Sequence, residues 1–174
     1  MIESERELIM ELVPLRYTQF VREPISKAEF LKQFRGARDG TVLANELLAE
    51  AIESKIPDDV ECALIVGSNF GFNEESLDFL LQLLKEDWHF KHEDVVSALG
   101  QLKAPKAIDA LYHATQWIPA YLEFEARAFA VKAIWALGAI SSPEAQATLI
   151  ALSGDQNAII KQNALNQLSR RPQN

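Results

Sequence analysis

The stretch that decides the fold reads ALGQLKAPKAIDAL over residues 98–111 and recurs as ALGAISSPEAQATL over residues 136–149. The Ala-Leu-Gly, the proline and the apolar positions coincide without a gap at a spacing of 38 residues. In both copies a small residue and a glycine close one helical pattern, and a proline opens the next. A period of this size is typical of helical-repeat solenoids.

The pattern continues on both sides of these two stretches. Steps of 31 residues lead forward from Leu137 to Leu168 and back from Leu111 to Leu80. Equivalent apolar positions of successive units are expected in the core, and they are Leu99, Leu111, Leu137, Leu149 and Leu168. Trp135, in an apolar run of the same unit, is also predicted to be core.

The units resemble the HEAT-like repeats named after phycobilisome lyases, in which a basic residue, Ala, Ala-Leu-Gly and Pro-x-Ala-x-x-x-Leu follow one another. The resemblance is specific over residues 92–170, fair over 59–91, and fades before 58. The basic position is His92, Ala130 and Lys161 in successive units, and an insertion around Trp117 interrupts the middle one. The resemblance implies an all-α fold, a short α-solenoid of antiparallel helix pairs.

Apolar residues recur at spacings of three and four nearly everywhere, whereas clean strand alternation is almost absent. Capping signals at Ser26, Asp58, Asn73 and Ser142 divide the pattern into separate helices. The predicted helices span 3–13, 27–36, 41–54, 59–69, 74–87, 92–102, 105–117, 120–139, 143–153 and 157–170. We expect a single α-helical domain over 1–174, with N-terminal helices over 1–58 and repeats over 59–170.

The charge is concentrated in the middle of the chain. The net charge is −8, and residues 59–125 hold 4 Lys and Arg against 12 Asp and Glu. Such a field repels phosphate backbones, which argues against direct binding of nucleic acid and favours a basic protein as partner. The chain has no apolar run of the roughly 18 residues that a membrane span needs, and its first residues carry acids where a signal peptide carries bases. We therefore expect a cytoplasmic protein.

Few residues suggest chemistry of their own. His89 and His92 lie near two acids in a metal-binding composition, but their spacing favours a solvated junction between repeats. Cys62 lies in an apolar run and is expected to be a buried, inert thiol. His113 has no accompanying nucleophile pattern, and the glycines of 67–71 lack the lysine of a phosphate loop. We expect no catalytic site, no cofactor and no metal.

The repeat aligns the second helices of successive units, so that outward positions form a row. Asp78, Gln82 and Lys85 are the outward positions of one such helix, and Asp109, His113 and Gln116 those of the next. Trp117 lies beside the insertion and is expected to be partly exposed, as an anchor for a partner. The predicted partner-binding residues are Glu75, Asp78, Asp109, His113, Trp117, Tyr121 and Glu123.

These features together predict a protein-binding helical-repeat module rather than an enzyme. The leading hypothesis is an immunity or inhibitor protein that neutralises a basic bacterial toxin, such as a nuclease. The resemblance leaves open a chromophore lyase or lyase subunit, and a regulatory adaptor of a cellular enzyme is a third alternative.

Overall fold

The computed structural model describes residues 1–17, 20–122 and 127–171. Within these ranges the chain forms ten α-helices and one two-stranded sheet, which confirms the all-α fold. The chain divides into two compact units, Met1–Phe79 and Leu80–Asn174, and the division falls inside the fifth helix. That the chain forms a single domain stays a prediction.

The first unit is built around a closely packed helix pair. Its complete elements are α1 (Glu3–Met10), β1 (Leu15–Tyr17), β2 (Phe20–Arg22), α2 (Lys27–Gln33), α3 (Gly40–Ser54) and α4 (Pro57–Phe70). A side chain at Gly40 would lie 2.1 Å from the ring of Phe70, so glycine permits the close approach of α3 and α4. Arg6 on α1 donates from Nε to Asp59 Oδ1 on α4 at 2.8 Å, which fixes α1 to the pair.

A short β-hairpin in this unit is absent from the prediction, which was wrong here. β1 and β2 pair antiparallel with Arg16 opposite Val21. Pro14 and Pro24 bracket the hairpin and prevent a helix from running through it, because proline has no N–H to donate. Three-residue strands are too short to show the alternation on which the prediction depended.

The second unit contains the repeats. Its elements are the end of α5 (Glu74–Leu83), α6 (His92–Leu102), α7 (Ile108–Gln116), α8 (Ala128–Ala139), α9 (Pro143–Leu152) and α10 (Ala158–Ser169). α8 is central, since it packs against α6, α7, α9 and α10. α8 packs against α9, and α9 against α10, so these successive helices form contacting pairs. Direct packing of α6 against α7 stays a prediction.

The Ala-Leu-Gly motif has a packing reason in this unit. A side chain added at Gly100 would lie 3.2 Å from Ala136 Cβ, where α6 meets α8. At the equivalent Gly138, an added side chain would lie 2.3 Å from Gln167 Oε1, where α8 meets α10. Each glycine therefore allows close contact with the next helix of the same layer.

Several predicted boundaries were wrong. α4 begins at Pro57 with Ile56 as its N-cap, so Asp58 lies in the first turn and is not a cap. The predicted helix at 105–117 is a 3-10 turn over Pro105–Ala107 followed by α7. The predicted helix at 120–139 is a 3-10 turn over Ala120–Leu122 and then α8, with residues 123–126 outside the described ranges. α1, α2 and α5 end three or four residues earlier than predicted.

The repeat register places most of the predicted core correctly. Leu99, Leu111, Leu137 and Leu149 are fully buried. Leu168 is only half-buried. The prediction for Trp135 was wrong, because 55% of this residue is exposed.

Cys62 is buried, and burial raises the pKa of its thiol to about 11, as expected of an inert cysteine. Among the helices of the described residues, none has both the length and the apolar character that a membrane crossing requires.

Candidate functional site

An apolar groove lies along α7 in the second unit. It has a volume of about 350 Å³. We call it the α7 groove, and its lining residues are Leu84, Lys85, Ala110, His113, Ala114 and Trp117. Two of the seven predicted partner-binding residues, His113 and Trp117, thus line one concavity.

The groove lies at the border between the buried and the exposed face of α7, since its lining includes the buried Ala114 and the exposed His113. Ile108, Leu111 and Ala114 are buried against the unit, which leaves the opposite face of the helix to solvent. Asp109 and His113, one helical turn apart, are both exposed on that face. All six outward positions predicted from the repeat are exposed, as expected.

Trp117 terminates α7. Its backbone is extended, with φ −108°, while its N–H still donates to the carbonyl of His113 at 3.2 Å. Forty percent of the residue is exposed, which confirms the prediction of partial exposure. The ring also meets the edge of His92 with 5.1 Å between centroids, so the groove adjoins a second cluster of rings.

This second cluster is centred on two stacked histidines. The rings of His89 and His92 lie 4.3 Å apart at an angle of 18°, and both residues are buried. The expectation of a solvated junction was therefore wrong. The apolar spacing of α6 did not show it, because Trp117 and Tyr121 of the insertion cover His92, and His92 stacks on His89.

Hydrogen bonds fix the protonation of both rings. His89 Nε2 donates to the carbonyl of Leu83 at 2.8 Å, and its Nδ1 accepts from the N–H of Lys91 at 3.1 Å. His92 Nε2 donates to the carbonyl of Glu86 at 2.8 Å, which leaves Nδ1 to accept from the Tyr121 hydroxyl at 3.0 Å. The neutral form of each ring thus satisfies all of its nitrogens.

The pKa values of the cluster agree with this geometry. Burial, followed by the neighbouring His89, lowers the pKa of His92 to about 4. Burial also lowers the pKa of His89 below its ordinary value. The pKa of Tyr121 is raised, first by burial and then by the charges of Glu93 and Asp94. His92 therefore holds Tyr121 in place and is itself stacked on His89.

Tyr121 is linked to Trp117, at the end of the α7 groove, by His92, which contacts both rings. Its hydroxyl accepts from the backbone N–H of His92 at 3.1 Å, and the centroids of the two rings are 5.7 Å apart. Since His92 also contacts Trp117, the rings of Tyr121, His92 and Trp117 form one continuous group. The structure thus brings His113, Trp117 and Tyr121 into one region, with Asp109 one turn away along α7.

The remaining predicted residues lie elsewhere. Glu75 and Asp78 are on α5 in the first unit, so the acidic row that would join Asp78 to Asp109 stays a prediction. Glu75 has a structural contact, because its Oε2 accepts from Asn45 Nδ2 at 3.1 Å. Glu123 lies outside the described residues.

Sequence reasoning missed Phe90 as a candidate residue of this site. Its ring meets that of Tyr121 at 5.4 Å, and 59% of the residue is exposed. The available signal was a phenylalanine in a polar turn, between His89 and Lys91, where no helical pattern would bury it.

The fold and this surface define a helical-repeat protein whose exposed helix faces are suited to binding other proteins. Residues 130–155 match the model of the PBS lyase HEAT-like repeat. The match covers most of α8 and all of α9, and it indicates a protein-interaction module built from HEAT-like repeats. No curated protein and no solved structure matches this chain at significance.

Proposed function

We propose that this protein acts by binding a basic protein partner, and that it is an immunity or inhibitor protein that neutralises a toxin such as a nuclease. The observation that carries the proposal is the α7 groove, an apolar concavity with the exposed Trp117 at its end. Asp109 is exposed on the same helix, one turn before His113. The role of the groove is binding rather than catalysis.

The groove has the anatomy of a binding hot spot. An aromatic ring beside an apolar concavity provides a place where a partner side chain is desolvated, and such central contacts supply most of the affinity of an interface. Trp117 is held in position by the edge of His92, so it loses little conformational freedom on binding.

Charge supports a basic partner. Residues 59–125 contribute 12 acids and 4 basic residues, and within the second unit Asp87, Asp94 and Asp109 are exposed. A nuclease presents a positive groove to its phosphate substrate, and an acidic surface attracts that groove electrostatically. A protein bound in the substrate groove of the nuclease would exclude the nucleic acid and so inhibit the enzyme.

Capture with matched baits tests this proposal. The wild-type chain is used to capture its partner from native lysate, in parallel with Trp117→Ala and Trp135→Ala baits. Both tryptophans are exposed, but Trp135 lies on α8 and does not line the α7 groove. We expect a basic protein that is retained by the wild type and the Trp135→Ala bait and lost from the Trp117→Ala bait.

The captured protein is then assayed for nuclease activity with and without the wild-type chain. Stoichiometric inhibition by the wild type, and none by Trp117→Ala, is expected of an immunity protein. An acidic partner, or equal retention by all three baits, would contradict the proposal. A basic but non-toxic enzyme would point instead to the adaptor alternative.

A further inference from the structure

Phe90, in the turn between α5 and α6, and Tyr121, in the 3-10 turn before α8, form an exposed pair of aromatic rings. Phe90 is 59% exposed and Tyr121 is 37% exposed. Their centroids lie 5.4 Å apart with an angle of 86° between the planes. We call these two side chains the ring pair. Exposed phenylalanine in a surface turn has no role in a core, and it is a favoured type of interface residue.

The Tyr121 ring of the ring pair is held in place by its contacts with His92. The Tyr121 hydroxyl bonds to both the backbone N–H and Nδ1 of His92, at 3.1 and 3.0 Å. His92 in turn donates to the carbonyl of Glu86 and stacks on the buried His89. A ligand that stacks on Tyr121 therefore meets a ring that is already held in place, and little free energy is lost in ordering that ring.

Two exposed carboxylates, those of Asp87 and Asp94, lie near the ring pair. Asp87 is exposed in the same turn as Phe90 and its charge acts on His92. Asp94 is exposed in the first turn of α6, and its charge acts on Tyr121 together with that of Glu93. Glu93 is paired with Lys132, at 3.4 Å from Oε1 to Nζ. Near the ring pair, the charges of Asp87 and Asp94 outnumber that of Lys91, which follows Phe90 in the chain. The excess of negative charge favours a cation.

We propose that the ring pair, with Asp87 and Asp94, receives an arginine side chain of the basic partner. A guanidinium stacks on aromatic faces and pairs with carboxylates through its planar N–H donors. An ammonium is a more strongly hydrated point charge and uses this combination of ring and carboxylate less well. The inference rests on the proposed function, because it names the side chain by which the basic partner is held beside the α7 groove.

Short peptides provide a direct test. The probes are an acetylated Gly-Arg-Gly-Arg-Gly amide and the same peptide with lysine in place of arginine, each titrated into isotope-labelled protein and followed by NMR. We expect the arginine peptide to shift the ring resonances of Phe90 and Tyr121 and to bind more tightly than the lysine peptide. Equal affinity of the two peptides, or shifts confined to other surfaces, would overturn the inference.

Variants locate the contact. Phe90→Leu keeps an apolar side chain but removes the ring, and it is expected to weaken binding of the arginine peptide about two- to fivefold, the effect of one exposed cation–π contact. Asp87→Asn combined with Asp94→Asn should weaken it further. Tyr112→Leu is the matched control, since Tyr112 is a 39% exposed ring on α7 and should leave the affinity unchanged. Thermal unfolding confirms that each variant is folded.

The two proposals fail separately. If Phe90→Leu binds the arginine peptide as well as the wild type while the Trp117→Ala bait still loses the basic partner, the arginine contact is refuted and the proposed function stands. If the peptide binds as expected but the captured partner is acidic or indifferent to Trp117, the proposed function is refuted and the ring pair remains a guanidinium-binding surface.

Discussion

At the scale of single residues, His92 is the side chain on which this region depends. It is buried between His89 and Tyr121, and its neutral ring is fully hydrogen-bonded. Protonation would place a second proton donor opposite the Tyr121 hydroxyl and a positive charge against His89. The folded state therefore disfavours the charged form, which the unfolded chain accepts readily.

The lowered pKa of His92 predicts that the free energy of unfolding depends on pH. The pKa of His92 is about 4 in the folded protein and about 6.5 in an unfolded chain. The unfolded state binds more protons between these values, so the stabilisation is complete above about pH 6.5 and is lost as the pH falls towards 4. We expect His92→Phe to reduce this acid-induced loss in the free energy of unfolding by about 2 to 3 kcal/mol.

Urea unfolding between about pH 7 and about pH 4.5 measures the effect. The carboxylates of the protein contribute their own pH dependence, so the comparison is between His92→Phe and the wild type. The exposed His113→Gln on α7 is the control and should run parallel to the wild type. Parallel curves for His92→Phe as well would contradict the burial of a neutral ring.

At the scale of elements, the repeat register connects sequence to packing. Gly100 and Gly138 occupy equivalent positions and each permits a close approach of the next helix, at Ala136 and Gln167 respectively. Those two contact positions are themselves 31 residues apart. The motif is thus a record of how α6, α8 and α10 pack side by side.

Truncation of the repeated leucines tests this register. Leu111 on α7 and Leu137 on α8 are fully buried, and we expect Leu111→Ala and Leu137→Ala each to cost about 2 to 5 kcal/mol in the free energy of unfolding. Leu165→Ala on α10 is the matched control, because Leu165 is 41% exposed and its truncation should cost well below 2 kcal/mol. Unchanged unfolding midpoints for the first two variants would show that the register is wrong.

At the scale of the whole chain, charge governs the approach of a partner. The net charge of −8 is concentrated in residues 59–125, while residues 126–174 hold 5 basic residues against 2 acids. Surface charges mainly accelerate association, whereas a desolvated anchor such as Trp117 slows dissociation. The two effects can be separated by kinetics.

We expect the association rate with the captured basic partner to fall at least about tenfold between about 0.05 M and about 0.5 M salt, because screening shortens the range of these charges. Asp109→Lys should lower the association rate at low salt and leave it little changed at high salt. Trp117→Ala should instead raise the dissociation rate at both salt concentrations. Surface plasmon resonance measures both rates, and an association rate independent of salt would exclude electrostatic steering.

The class of fold, the register of the repeats and most of the buried leucines could be predicted from the sequence alone. The outward face of α7, with Asp109 and His113 one turn apart, could be predicted as well. These features follow from local rules: helical periodicity, caps such as Ser26 and Ser142, and an internal repeat in which each position has a counterpart. Such rules need no knowledge of which helices lie side by side.

The exposure of Trp135 and the burial of the two histidines could not be predicted in this way, because they depend on how the helices pack. α8 is apolar nearly all round and contacts four helices, so its own pattern could not show that the strip containing Trp135 is left uncovered. His92 is buried because Trp117 and Tyr121 pack against it from a segment about 25 to 30 residues further along the chain, and His89 is stacked on His92. Burial of a polar ring depends on such distant partners, since only their hydrogen bonds and surfaces offset the loss of water.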